Sequence, residues 1–161
     1  MIGLDPGSRV LGYGVVREEG GRIAFVDHGA VWTNPKDPME LKLLSLNQQL
    51  VEIIDRYRPD QAAVEEVFFS VNVRSALLLG QARGVVLLTL ADAGLPISQY
   101  SATALKQAVT NYGRASKEQV QRSVQMLLGL DHIPDPQDAA DALAIAICHI
   151  NSTQRRFQQL V

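Results

Sequence analysis

Five acidic residues stand where their type and spacing could do chemistry: Asp5, Glu65, Glu66, Asp138 and Asp141. Asp5 closes a short apolar run and precedes Pro6-Gly7, while Glu65 and Glu66 end a second apolar run. Asp138 and Asp141 lie one helical turn apart in a helix-forming stretch, so both project from one face. Around them are Ala139, Ala140, Ala142, Leu143, Ala144 and Ile145, a sequence suited to close packing. Two carboxylates at the packed end of a helix are costly unless a cation pairs with them. No Lys or Arg occurs between Leu130 and Ile150, and a metal ion would meet that need. Ligands that are all oxygen suit Mg²⁺ or Mn²⁺ rather than zinc. Two such ions, about 3.5–4 Å apart, can activate a water and stabilise the leaving oxygen in phosphodiester cleavage. Each acid also has a plainer reading. Asp5 suits a turn, Asp138 suits a helix first turn, and one glutamate of the pair suits a solvated strand end. The joint pattern of acids at two strand ends and a helix start favours metal-dependent chemistry.

The elements that must position these acids alternate in type. Met1–Leu4, Gly12–Glu18 and Arg22–Trp32 read as strands, the last two joined as a hairpin through Glu19-Gly20-Gly21. Leu43, Leu46, Leu50, Ile53, Ile54 and Tyr57 recur at helical steps, and Arg58-Pro59 ends that helix. Gln61–Phe69 reads as a central strand, Ser75 to Ala93 as a helix and Pro96–Tyr100 as a short strand. Helices follow over Ala102–Thr110, Lys117–Leu128 and Pro136 to Phe157. Antiparallel strands followed by alternating helix and strand predict an α/β fold, a mixed sheet with helices on both faces.

The chain of 161 residues fits one domain, residues 1–161, with no repeat or linker. The apolar stretch Ala76–Leu95 is interrupted by Gln81, Arg83 and Asp92, which argues against a membrane span. The N-terminus shows no signal-peptide pattern, and Cys148 is the sole cysteine, so a reducing cytoplasm is the expected setting. A net charge of −2 is mild evidence against a nucleic-acid binder, although clustered carboxylates awaiting a cation contribute to it.

Five segments resemble the RuvC family of Holliday junction resolvases, members of the RNase H-like nuclease superfamily. They are Gly3-Leu4-Asp5-Pro6-Gly7-Ser8-Arg9 with the following Gly12 to Val15, Ala63 to Phe68, Ser75 to Val85, Val109 to Lys117, and Asp138 to His149. They occur in the family's order over nearly the whole chain. The resemblance implies a five-stranded RNase H-like sheet, three antiparallel strands and then parallel ones. It places an acidic tetrad on Asp5, Glu65, Asp138 and Asp141, with Glu66 turned to the other face. It implies paired, symmetric nicks in four-way junctions during recombination and repair, and a motor complex of the RuvA and RuvB type as partner. Asp5 is expected to bridge two ions, Glu65 to bind one, and Asp138 and Asp141 to complete the other.

The resemblance also implies a base-contacting aromatic at Phe68, beside Phe69, and basic site residues at Lys106 and Lys117. Arg74, Arg83, Arg114 and Arg122 are further candidates for a phosphate-binding face. Lys117 opens a helix, where a cation opposes the helix dipole, a hint of function. The helix from Ser75 is apolar nearly all round, more than one sheet face requires, so a homodimer with two symmetric sites is expected. Three other classes fit the sequence less well. A sugar-kinase-type nucleotide fold needs a second lobe that this length cannot hold. A nuclease for RNA–DNA hybrids has no need of paired sites. A non-catalytic junction binder should lack one of the acids.

Overall fold

The computed structural model describes residues 1–7, 9–66 and 72–158, with side chains described as far as Gln154. Five strands, β1 (Ile2–Pro6), β2 (Val10–Glu19), β3 (Arg22–Trp32), β4 (Ala62–Glu65) and β5 (Ile97–Tyr100), form one sheet in the order β3-β2-β1-β4-β5. β1 and β2 pair antiparallel, as do β2 and β3, whereas β4 runs parallel to both β1 and β5. The expected order and strand senses are thus observed.

Helix α1 (Met39–Tyr57) and helix α2 (Val73–Asp92) cover one face. There Ile2 and Leu4 of β1, Leu11 and Val15 of β2 and Val64 of β4 pack with Leu50 and Val86. Strand alternation sends the intervening residues to the other face. That face is covered by α3 (Ala102–Thr110), α4 (Lys117–Leu128) and α5 (Gln137–Gln158), with Leu143 and Ile147 of α5 against Val120 and Val124 of α4.

Helix α5 is the central element, with every residue from Ala142 to Ile150 buried. Its approach to the sheet depends on three glycines. A Cβ on Gly3 would stand 2.1 Å from the Ala142 carbonyl oxygen, and one on Gly14 would stand 2.7 Å from Leu143. At Gly12 the corresponding distance to the Asp138 carbonyl oxygen is 2.0 Å. Strand glycines of this kind mark a close backbone approach. His149, near the far end, is buried between the Tyr100 hydroxyl, 2.9 Å from Nδ1, and the Gln61 side chain. It is a structural histidine, as its sequence position past Asp141 suggests.

Several boundaries differ from the sequence reading; β1 runs two residues further, through Asp5 to Pro6. The central strand ends at Glu65, although the Glu66 N–H still donates to the Tyr100 carbonyl at 2.8 Å, and the rest of the stretch read as strand, 67–69, lies outside the described residues. On one side β5 stops at Tyr100, and on the other β1 ends with Pro6, which has no N–H to give to the ladder. Helix α2 begins two residues before Ser75, because the Asn72 side chain caps it by accepting from the Ser75 N–H. By length and composition α2 is apolar enough to cross a membrane. In this fold its Ala82, Val86 and Leu90 stripe is seated in the core.

Candidate active site

The four predicted acids converge on the α5 side of the sheet. On β1 the alternation that buries Ile2 and Leu4 under α1 and α2 turns Asp5 toward α5. On β4 the same rule turns Glu65 that way, one position along from the Leu4↔Val64 pair. Gly12, the partner of Asp5 in the ladder, lies against the first turn of α5 and so brings Asp138 to Asp5. Asp141 follows one turn later and, with Glu65, lines a cleft of about 240 Å³.

The electrostatics show how close the acids are. Burial pushes the Asp5 carboxyl up to about 7, and repulsion from Glu65, Asp141 and Asp138 adds to the shift. Burial raises Glu65 as well, with Asp141 the principal like charge. Lys117 opposes both shifts, and Arg83 and Lys106 also favour the charged form of Glu65.

The Lys117 ammonium lies 2.9 Å from Asp141 Oδ2. Partial burial works against its charge, but the hydrogen bond to Asp141 and the attraction of Asp5 and Asp138 outweigh that, and its pKa is raised. No cation lies near the helix acids in sequence, and the resemblance alone placed Lys117 at the site. A cation does reach them, from α4, which is remote in sequence and adjacent in space. It also accounts for a lysine in the first turn of α4, where the Ser116–Gln119 capping box satisfies the helix end independently of charge. Lys106 lines the same cleft.

Among the described residues, no three His, Cys, Asp or Glu side chains are gathered closely enough to chelate an ion as they stand. The donor chemistry nonetheless fits a hard divalent cation. The set is all oxygen, and its mutual repulsion, centred on Asp5, is what such a cation would relieve.

Phe68 and Phe69 lie outside the described residues. Arg74 is exposed in the first turn of α2, away from the interactions that join the acids. Glu66 is exposed and one position beyond Glu65, as alternation requires. The residue whose place sequence patterns did not foresee is Arg83. Instead of facing solvent with other basic residues, its guanidinium donates to the Glu65 carbonyl and to the Gln99 side chain. Nothing local in the sequence signals this, because it depends on β4 and β5 lying side by side above α2.

A five-stranded sheet of this order, with carboxylates from two adjacent strands meeting those of a closely packed helix, has the RNase H-like architecture. Residues 1–149 match the family model described as crossover junction endodeoxyribonuclease RuvC. The chain is 54% identical over 148 residues to the crossover junction endodeoxyribonuclease RuvC of Chloroflexus aggregans, covering 92% of this chain and 90% of that one. It superposes on Thermus thermophilus RuvC in complex with Holliday junction substrate with a TM-score of 0.90 at 36% identity, covering 97% of this chain and 96% of that one. The yeast mitochondrial Holliday junction resolvase Ydc2 shares the fold at 14% identity, with a TM-score of 0.66 and coverage of 99% of this chain and 83% of that one. This chain belongs to the RuvC family of crossover junction endodeoxyribonucleases.

Proposed function

We propose that this protein is a metal-dependent endonuclease that resolves four-way DNA junctions by paired phosphodiester cleavage, in recombination and repair. The observation that carries the reading is the convergence of Asp5, Glu65, Asp138 and Asp141 beside one cleft, which Glu65 and Asp141 line, in a chain of this family. The junction as substrate is supported by the likeness to the Thermus thermophilus protein in complex with Holliday junction substrate.

Asp5, Glu65, Asp138 and Asp141 would hold Mg²⁺ or Mn²⁺, with two ions per site as the sequence pattern suggests. When bound, a divalent cation supplies Lewis-acid stabilisation of the charge that develops on the phosphodiester. Below its pKa of about 7 Asp5 holds a proton that it would give up to bind a cation. Lys117 holds Asp141 and, together with Lys106, offers ammonium groups to the phosphates of the strand in the cleft. Phe68 and Phe69 are proposed to stack on an unpaired base, and Arg74 to meet the backbone nearby.

Two symmetric cuts need two sites, and α2 supports a homodimer. Val73, Leu77 and Leu88 are 73%, 65% and 70% exposed, an apolar stripe on the helix face turned away from the sheet. Gly80 and Gly84 lie between them with nothing within 4 Å of a Cβ, which leaves room for a second helix to cross closely. A cytoplasmic setting and a motor of the RuvA and RuvB type complete the proposal.

The test is cleavage of a synthetic four-way junction, beside linear duplex and RNA–DNA hybrid, with Mg²⁺, Mn²⁺ or chelator. Paired nicks on the junction alone, abolished by chelator, are expected. Cutting of the hybrid would place the activity elsewhere in the superfamily, and junction binding without cutting under either metal would make the protein a binding module.

A further inference from the structure

Arg83 is a long cation on α2 that the proposed chemistry does not use. It emerges from the helix that packs on the face opposite the acidic cleft, between the buried Ala82 and the exposed Gly84. One guanidinium nitrogen donates to the backbone carbonyl of Glu65 and the other to the side-chain oxygen of Gln99. β4 and β5 are adjacent, with Val64 opposite Gln99 and Glu65 opposite Tyr100, so the planar fork spans both strands at the end of the ladder. Burial disfavours its charge, while the Glu66 and Glu65 carboxylates sustain it.

β4 has only four residues and ends at Glu65, so Arg83 holds the last carbonyl of the strand. The peptide that Arg83 grips is the one whose Cα carries the Glu65 side chain into the cleft.

We propose that Arg83 is a positioning residue that sets the Glu65 carboxylate from behind, through its carbonyl, and ties that carboxylate to α2. This rests on the reading of Glu65 as an ion ligand. The turn of α2 that carries Arg83 also carries Gly84 of the exposed stripe, so the helix offered to a second copy and the anchor of an acidic ligand are one rigid unit. The Arg83 guanidinium is engaged by the Glu65 carbonyl and the Gln99 side chain. Its effect is on the pose of Glu65.

The experiment compares the full chain with Arg83→Ala, Arg83→Lys and Gln99→Leu. Mn²⁺ affinity is measured by calorimetry, and hydrogen exchange is followed at the Glu66 amide, whose bond to Tyr100 reports the end of β4. Arg83→Ala should weaken Mn²⁺ binding by on the order of tenfold, the usual scale for losing a partner of a ligand. It should speed exchange at Glu66 while leaving the interior of α5 protected. Arg83→Lys should recover part of the affinity, since an ammonium can reach the carbonyl but cannot span both acceptors. Wild-type Mn²⁺ affinity in Arg83→Ala overturns the proposal, as does a loss accompanied by equally faster exchange throughout β1 and α5. If Arg83→Ala does not fold, Gln99→Leu decides, because Gln99 is exposed. It should weaken Mn²⁺ by about two- to threefold, and unchanged affinity and exchange in it overturn the role. Neither readout depends on junction cleavage, so failure of the proposed function and failure of the Arg83 role are separable.

Discussion

Gly12 lies directly under the Asp138 carbonyl, so close that a Cβ there would stand 2.0 Å from the oxygen. The contact joins the strand residue that pairs with Asp5 to the helix residue that completes the acidic cluster. The opposing atom is backbone, which cannot rotate away. Gly12→Ala is therefore expected to cost about 3 kcal/mol or more of stability, at the upper end for overpacking. It should also lift the first turn of α5 and reduce activity beyond what the stability loss explains. Urea unfolding together with the nicking rate of the folded fraction measures both, and a variant that keeps wild-type values would mean that α5 has room to shift.

Asp5 predicts opposite pH trends for the metal-free and metal-bound protein. Its carboxyl has a pKa of about 7 when folded against 3.8 as a free side chain. Between those values the folded chain retains a proton that the unfolded chain has released. Stability of the metal-free protein should fall as pH rises through that window, because above it the buried charge must be borne. Metal binding should instead strengthen with pH, by about tenfold for each unit below 7 where one proton is displaced. Asp5→Asn should flatten the stability trend, raise metal-free stability near pH 8 by roughly 1–3 kcal/mol, and abolish cleavage. Thermal melts across pH with and without Mn²⁺ test the stability and metal trends, and junction nicking by the variant tests the last.

Lys117→Gln separates charge balance from folding. The lysine is about half exposed, with side-chain exposure of 49%, so its ion pair with Asp141 should contribute about 1 kcal/mol or less to stability. It does lower the pKa of both Asp5 and Glu65. The variant should melt near the wild-type temperature while the pH midpoint of Mn²⁺ binding moves to higher pH and the nicking rate falls by on the order of a hundredfold. An unchanged midpoint would dissociate Lys117 from the acids.

Gly84→Leu tests the α2 stripe. In one copy of the chain nothing occupies the space, and replacing a helical glycine should favour the helix by about 0.5–1 kcal/mol. Against a second helix crossing at Gly80 and Gly84, the same side chain would collide. A monomer in sedimentation that melts no lower than wild type would support the crossing, and an intact dimer would move the interface elsewhere.

Much of the site was legible in the chain itself. Asp5 and Glu65 each follow a short apolar run, and alternation sets Glu66 on the face opposite Glu65, whereas the β1–β4 register that brings Asp5 and Glu65 to one face is seen only in the fold. Asp138 and Asp141 share a face because a helix turn separates them. β3, α3 and α4 fall where periodicity and turn residues put them, since those signals are local. The tertiary structure decided what local periods cannot carry. Lys117 meets Asp141, and Arg83 reaches the carbonyl of Glu65, because elements distant in sequence pack side by side. Gly3, Gly12 and Gly14 look like strand glycines with backbone freedom. Their role is the absence of a side chain under α5, and that absence acquires meaning only when the helix lies on the sheet. Charge pairing and close approach depend on distances through space, whereas strand alternation and helical period depend on distances along the chain.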